Sequence, residues 1–399
     1  MKYIVLLSDG MAGEPIEELG NKTTMEAAHK PNMDRLCKVS QVGMARTVPE
    51  GMAPGSDTAN LAVLGYNPRK YYTGRSPLEA LSIGAKLEDA DVSLRMNFVT
   101  LRGEGPYEKK IILDHSAGEI STQDAEVLLK AVIDNLKRDG YEFYLGTSYR
   151  HLLVIKNGEV VELMPPHDIL SKEIGNYLPK DEILREMMVK SNEILEGHPL
   201  NQKRKEEGKN PANSIWFWGA GTRPALSSFE EEYKRKGVMI SAVDLLKGIA
   251  TGASMKVIEV EGANGGLHTN YEGKAKAAFG ALVDEGYDFA YIHVEAPDEM
   301  GHQGLIKEKI EAIENIDGKV LKPLVELLDC EKVDYKIMIL PDHPTPTHLR
   351  THTSNPVPFM IYDSTKEEKG VEGFNEKMAK DTGIFFDEGY QLMGHFLDK

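Results

Sequence analysis

Lys2-Tyr3-Ile4-Val5-Leu6-Leu7-Ser8-Asp9-Gly10 is the stretch on which the fold turns. Residues 3–7 are an unbroken apolar run without the polar alternation of a half-exposed strand. The run predicts a strand buried on both faces, as in a parallel sheet covered by helices. It stops at a polar turn that carries a carboxylate. Working outward, the same pattern recurs. Phe289-Ala290-Tyr291-Ile292-His293-Val294 precedes Ala296-Pro297-Asp298, and Lys336-Ile337-Met338-Ile339-Leu340 precedes Pro341-Asp342-His343. A further apolar run, residues 357–362, follows Arg350-Thr351-His352-Thr353. Helical patterns lie between these runs at residues 243–251, 274–285 and 307–328. Two more lie near the start, at 25–36 with Pro31 as an early break, and at 56–66. Strand-helix alternation at both ends predicts an α/β fold with a mostly parallel sheet flanked by helices.

The texture changes between residues 90 and 235. Short strands are expected at 94–101, 110–113, 142–145 and 151–155, with helices at 124–139 and 181–195. Residues 201–213, rich in Lys, Glu and Asn, read as a solvated loop. The middle therefore reads as an inserted α+β domain over 91–235, and 1–90 with 236–399 as one discontinuous sheet domain.

Composition narrows the function classes. The chain has 399 residues, with 47 Lys+Arg against 63 Asp+Glu, a net charge of −16. That acidity argues against a nucleic-acid partner, and leaves room for small anionic substrates met by a local pocket of arginines. Cys37 and Cys330 are too few for a disulfide scaffold and suit a reducing, cytoplasmic setting. No stretch approaches the ~18 apolar residues of a membrane span. The expectation is a small-molecule partner, with neither nucleic acid nor membrane.

Six acid or histidine groups sit beside the apolar strands: Asp9, Asp298, His302, Asp342, His343 and His352. In open parallel sheets ligands collect at the carboxyl ends of strands, so residues far apart in sequence converge there. Asp298 and His302, four apart, share one side of a helical turn. Carboxylates with imidazoles suit a divalent ion such as Mn²⁺ or Zn²⁺. Six groups suffice for two ions, the usual clamp for in-line phosphoryl transfer. Any one of these residues alone reads more readily as a helix cap, a hydrogen-bonded structural residue or a turn residue than as a ligand; the joint occurrence carries the inference. Pro54-Gly55-Ser56-Asp57-Thr58-Ala59-Asn60 places Ser56 at a helix start. Capping alone accounts for a serine there. A helix N-terminus also stabilises phosphate, and a cation on the hydroxyl makes it a nucleophile.

These motifs together resemble the cofactor-independent phosphoglycerate mutases of archaeal type, within the alkaline phosphatase superfamily. The marks are Leu6-Leu7-Ser8-Asp9-Gly10-Met11, Pro54-Gly55-Ser56-Asp57-Thr58-Ala59, Tyr71-Tyr72-Thr73-Gly74-Arg75, Ala296-Pro297-Asp298-Glu299-Met300-Gly301-His302, Pro341-Asp342-His343 and Thr351-His352-Thr353. The resemblance implies an alkaline-phosphatase-like sheet and two divalent metal ions, Mn²⁺ foremost, with Zn²⁺, Co²⁺ or Mg²⁺ as alternatives. It implies one ion on Asp298, His302 and His352, and the other on Asp9, Ser56, Asp342 and His343. It further implies that Ser56 takes the phosphoryl group of 3-phosphoglycerate and returns it to the 2-hydroxyl, with no bisphosphoglycerate. The inserted domain would supply the basic grip on the substrate. Residue by residue, Arg150 and Arg223 are the first candidates for that grip, because arginine forks onto carboxylate or phosphate. His115 and Lys274 follow. The sequence departs from the family's pattern at His115, Ser116 and Glu119, at Trp218 and at His268.

Two other readings stay open on the sequence. One is another enzyme of the superfamily: a phosphomonoesterase, a phosphopentomutase or a homoserine-kinase-like activity. No P-loop motif is present, which argues against an ordinary kinase. The other is a non-catalytic metal-binding protein. Against it, all seven ligand and nucleophile positions are filled.

Overall fold

The computed structural model describes residues 1–398 and divides them into two units. One comprises Met1–Tyr72 together with the segment from Ala225 onward; the other is Thr73–Pro224. In chain order the strands are β1 (Lys2–Ser8), β2 (Gln41–Ala45), β3 (Val92–Arg102), β4 (Ile111–Asp114), β5 (Tyr141–Tyr144), β6 (Arg150–Ile155), β7 (Ser214–Thr222), β8 (Gly237–Ile240), β9 (Lys256–Val257), β10 (Phe289–Val294), β11 (Tyr335–Leu340), β12 (Val357–Asp363) and β13 (Phe385–Phe386).

The first unit holds an eight-stranded sheet in the order β13-β2-β12-β11-β1-β10-β8-β9. β1 lies between β10 and β11 and is parallel to both. β12 is antiparallel to β11 and to β2, so it alone runs against the others. Ile4, Val5, Leu6 and Leu7 are fully buried, as the unbroken apolar run requires. β10 and β11 are buried along their whole lengths. The reversal of β12 matters for the site. It brings the start of β12, and His352 just before it, to the edge where the parallel strands end.

The expected helix over 307–328 is two helices, Ile306–Ile316 and Lys322–Cys330, joined by a π-helical turn, Asp317–Leu321. Pro323 has no N–H to give to the preceding turn, so the helical ladder must adjust there. Asp317 turns its carboxylate onto Asn32 and the Met33 N–H, which ties the turn to the neighbouring helix Pro31–Cys37.

The second unit is a five-stranded antiparallel sheet centred on β3, which pairs with β4, β6 and β7; β5 lies beyond β6. The helices Thr122–Leu136 and Glu182–Glu196 pack their apolar residues into its core. One local expectation is corrected here. Part of the stretch expected as a solvated loop at 201–213 is a helix, Pro199–Glu206. It forms because Asn201 and Arg204 are buried anchors. Arg204 donates to the carbonyls of Ala117 and Asn210 and pairs with Asp124 at 3.0 Å. The Gly-rich segment from Trp216 forms most of β7. Gly219, at φ +63°, and a register shift against β3 absorb its irregularity.

Candidate active site

Every sequence-predicted cation ligand lies in the first unit, at the carboxyl edge of its sheet. Asp9 follows β1, Asp342 and His343 follow β11, and Asp298 and His302 lie on the helix Ala296–Gln303 that follows β10. The chain can turn there because Gly10 adopts φ +60°, and a Cβ on it would stand 2.5 Å from Asp298 Oδ1. Only glycine fits that approach.

The groups converge. His302 Nε2 is 3.2 Å from Asp298 Oδ2, and His352 Nε2 is 3.4 Å from Asp298 Oδ1. The two imidazole Nε2 atoms face each other at 2.8 Å. His343 Nε2 is 3.6 Å from Asp9 Oδ1, 3.3 Å from Asp342 Oδ2 and 3.1 Å from Ser56 Oγ. Two sets meet the spacing of a cation site: Asp298, His343 and His352, and Asp9, Asp342 and His343. His343 belongs to both. His302 approaches the first set through Asp298 and His352.

The donors fit divalent cations on more than spacing. Asp9 Oδ1 is buried with no hydrogen-bond partner, a costly state unless a cation meets it. His302 Nδ1–H donates to the Arg350 carbonyl at 3.0 Å, which leaves Nε2 as the lone-pair nitrogen toward the cluster. Asp342 is braced by the Gly10 N–H, by its neighbour His343 N–H and by Asn60 Nδ2. Thr345 Oγ1 donates to Asp298.

Without a cation the electrostatics are strained. Burial, and then Asp342, Asp298 and Glu295, push the Asp9 carboxyl well above the usual carboxylate range. Burial also pushes Asp298 up, but hydrogen bonds from His302 and His352 override it and hold it well below. In turn burial disfavours the His302 imidazolium, and the Asp298 carboxylate outweighs this and raises it to about 9. Burial keeps His343 low. One carboxylate held low and one pushed high, a few ångströms apart, is what unneutralised acids crowded in one buried place produce.

Ser56 opens the helix Ser56–Val63, with Gly55 as the N-cap residue. Its side chain makes no capping bond and faces His343 instead. Asp57 accepts from Thr58 N–H and from Tyr72 OH at 2.8 Å, fixing the turn that presents Ser56. Asn60 Nδ2 donates to the Ser56 carbonyl at 2.8 Å and to Asp342 at 2.9 Å.

The predicted basic residues are scattered. Arg150, His115 and Arg223 lie in the second unit. Arg150 and Arg223 are exposed, and His115 is half-buried edge-on to Tyr149 and His167. Lys274 lies in the first unit, fully buried, with Nζ on the His293 carbonyl at 2.7 Å. Burial pushes it down to about 8.

Four residues escaped the sequence reading. Arg75 and Arg95 each reach one oxygen of Glu79 at 3.1 Å, and the Arg95 guanidinium lies 4.2 Å over the Trp218 ring. Arg75 stood inside the Tyr-Tyr-Thr-Gly-Arg motif, which was the available signal. Arg95 lies in an apolar strand and gave only its charge as a sign. His293 and Lys309 are buried beside the ligands. A histidine inside an otherwise apolar strand was the signal for His293; Lys309 on a charged helix gave none.

This sheet, with its rim of acids and imidazoles, defines an α/β protein with candidate sites for divalent cations. The family model for 2,3-bisphosphoglycerate-independent phosphoglycerate mutase matches residues 37–201, and a probable enzyme of that name from Geobacter sulfurreducens is 48 % identical over 406 aligned residues, covering 100 % of both chains. The chain belongs to the 2,3-bisphosphoglycerate-independent phosphoglycerate mutases of archaeal type, isomerases of glycolysis. The enzyme from Methanosarcina mazei is 46 % identical over 99 % of both chains. Among solved structures, a protein from Pyrococcus horikoshii superposes with a TM-score of 0.82 at 30 % identity, covering 100 % of this chain and 97 % of the other. The cofactor-independent phosphoglycerate mutase of Thermoplasma acidophilum gives 0.65 at 26 % identity, covering 100 % and 99 %. Among the described residues no helix is long and apolar enough to cross a membrane.

Proposed function

We propose that the chain interconverts 3-phosphoglycerate and 2-phosphoglycerate through a phosphoserine on Ser56. The observation that supports it most directly is the 3.1 Å approach of Ser56 Oγ to His343 Nε2, at the start of a helix beside two cation-ready sets. Asp298, His302 and His352 would hold one divalent cation, and Asp9, Asp342, His343 and Ser56 the other, with His343 near both. When bound, such cations neutralise phosphoryl charge and lower the pKa of a bound hydroxyl.

The chain's own groups do the rest. Ser56 Oγ forms the new bond to phosphorus while the bond from phosphorus to the 3-oxygen breaks. The free N–H groups of the helix Ser56–Val63 receive the phosphoryl oxygens, helped by the helix dipole. The glycerate turns, its 2-oxygen takes the phosphorus, and Ser56 is restored. Asn60, by holding both the Ser56 carbonyl and Asp342, keeps the nucleophile and a ligand carboxylate in one frame.

We assign the anion grip to the second unit. Arg75 and Arg95 share the single carboxylate of Glu79, and burial, with Arg75 and Arg150 adding their charge, pushes Arg95 down to about 10. Two guanidiniums meeting on Glu79, with the charge of Arg150 acting on Arg95, form a cationic cluster suited to a substrate carboxylate or phosphate. Arg150 adds its charge to Arg95, His115 stands edge-on to His167, which packs against Trp218, and Arg223 follows β7.

An enolase-coupled assay tests the proposal. With 3-phosphoglycerate, Mn²⁺ and no bisphosphoglycerate, 2-phosphoglycerate is expected to accumulate, and Ser56→Ala should abolish it. Inorganic phosphate as the sole product would favour a phosphomonoesterase instead.

A further inference from the structure

We infer that His293 is a positioning residue for Asp9, locked in one tautomer by Ser241 so that Asp9 presents a single oxygen to a cation. The inference rests on the reading of Asp9 as a cation ligand and adds residues to it that the ligand set does not contain. Asp9, His293 and Ser241 stand at the ends of three adjacent parallel strands. Leu7 of β1 is paired with His293 of β10, and Ile292 with Ile240 of β8, which places Ser241 level with His293. All three side chains are buried.

The hydrogen bonds form a directed chain. His293 Nε2 lies 2.9 Å from Asp9 Oδ2, and His293 Nδ1 lies 3.1 Å from Ser241 Oγ. A cation on Asp9 keeps it ionised, and a carboxylate oxygen accepts only, so the Nε2 atom then carries the proton and donates to it. Nδ1 is then the bare nitrogen and accepts from the Ser241 hydroxyl. Ser241 Oγ in turn accepts from the Val243 N–H at 3.0 Å, which aims its proton at the ring. Every polar atom of the chain has its partner except Asp9 Oδ1, which is buried without one and lies 3.6 Å from His343 Nε2. One oxygen is thus spent on His293 and the other is reserved. Lys274 grips the His293 carbonyl at 2.7 Å and fixes its backbone. Partners one step behind metal ligands orient them in this way, and their loss typically weakens metal binding by ~10–100-fold.

The test is a Mn²⁺ titration of the chelator-stripped full chain, followed by the electron paramagnetic resonance signal of free Mn²⁺, with no substrate present. The wild-type chain should bind two ions. His293→Phe should weaken one of them by ~10–100-fold and leave the other near its original affinity. His293→Gln restores an N–H close to the Nε2 position and should recover most of the loss. Ser241→Ala frees the ring to take the wrong tautomer and should weaken the same ion by several-fold, with the melting temperature little changed. A merely structural histidine would not discriminate between the two ions, nor be rescued by glutamine. If His293→Phe does not fold, Ser241→Ala and His293→Gln decide. The inference is overturned if His293→Phe, or in its place Ser241→Ala, binds both ions as the wild type does, or if His293→Gln is as weak as a folded His293→Phe. A wild-type chain that binds no Mn²⁺ would instead overturn the ligand reading beneath it.

Discussion

His302 shows how a proposed ligand is prepared residue by residue. Its Nδ1–H is spent on the Arg350 carbonyl, and its Nε2 points at Asp298 and His352. In the absence of a cation the Asp298 carboxylate, against the cost of burial, holds the His302 proton up to about 9. The sign follows. Between neutrality and about pH 9 the cation-free ring carries a proton that a cation must displace. Cation binding at pH 7.5 should therefore release about one proton, and tighten as the pH is raised toward 9. Calorimetry in two buffers of different ionisation heat reads this directly; identical heats in both would contradict it. The six residues proposed as ligands could be picked out in the sequence because each sits close to an unmistakably apolar strand. His293, Arg95 and Lys309 were not, because their roles depend on neighbours that only the fold supplies.

At the scale of elements, the strongest signals were the runs with one consistent environment. β1, β10, β11 and β12 are buried throughout or nearly so, and their sequences show it. β2 mixes glutamine, glycine and alanine with its apolar residues, and β7 ends in Gly-Ala-Gly-Thr; pairing with neighbours, rather than composition, makes them strands. The helix Pro199–Glu206 was hidden for a related reason. Its polar residues look solvated, but Arg204 is buried on the carbonyls of Asn210, just past the helix, and of distant Ala117. The loop after β4 works in the same way. The Asp114 carboxylate accepts from Ser116 N–H, Ser116 Oγ, Gly118 N–H and Asn210. Burial opposes ionisation, but these donors win and hold its pKa below the ordinary value. A carboxyl lowered on folding stabilises the fold above its unfolded pKa of about 4, and that contribution is lost as pH falls through the folded value. Asp114→Ala should cost the second unit about 2 kcal/mol at neutral pH in urea unfolding. A change under about 0.5 kcal/mol would show that the loop holds without it.

On the scale of the whole molecule, the acidity and length first noted in the sequence take on specific roles. Three of the acids behind the −16 charge gather at one rim of the first unit's sheet, where cations would offset them. The insertion leaves that unit after Tyr72 and returns at Ala225, carrying the arginine cluster with it. All the proposed cation ligands belong to the first unit, so a chelator should act on that unit alone. At 100-fold excess over its dissociation constant a cation adds about 2.7 kcal/mol. For a unit of this size that is a shift of ~5–10 °C in melting temperature. Calorimetry with and without chelator should move one transition and leave the other; equal movement of both, or of neither, would contradict the assignment. The central claim is that Ser56 carries the phosphoryl group, and the most direct measurement looks for it there. The chain is mixed with 3-phosphoglycerate and Mn²⁺, quenched in acid within the first turnovers, and its peptides are analysed by mass spectrometry. The account predicts a phosphate on the peptide containing Ser56, at Ser56 itself. Phosphate on another residue, or none during turnover, would contradict it.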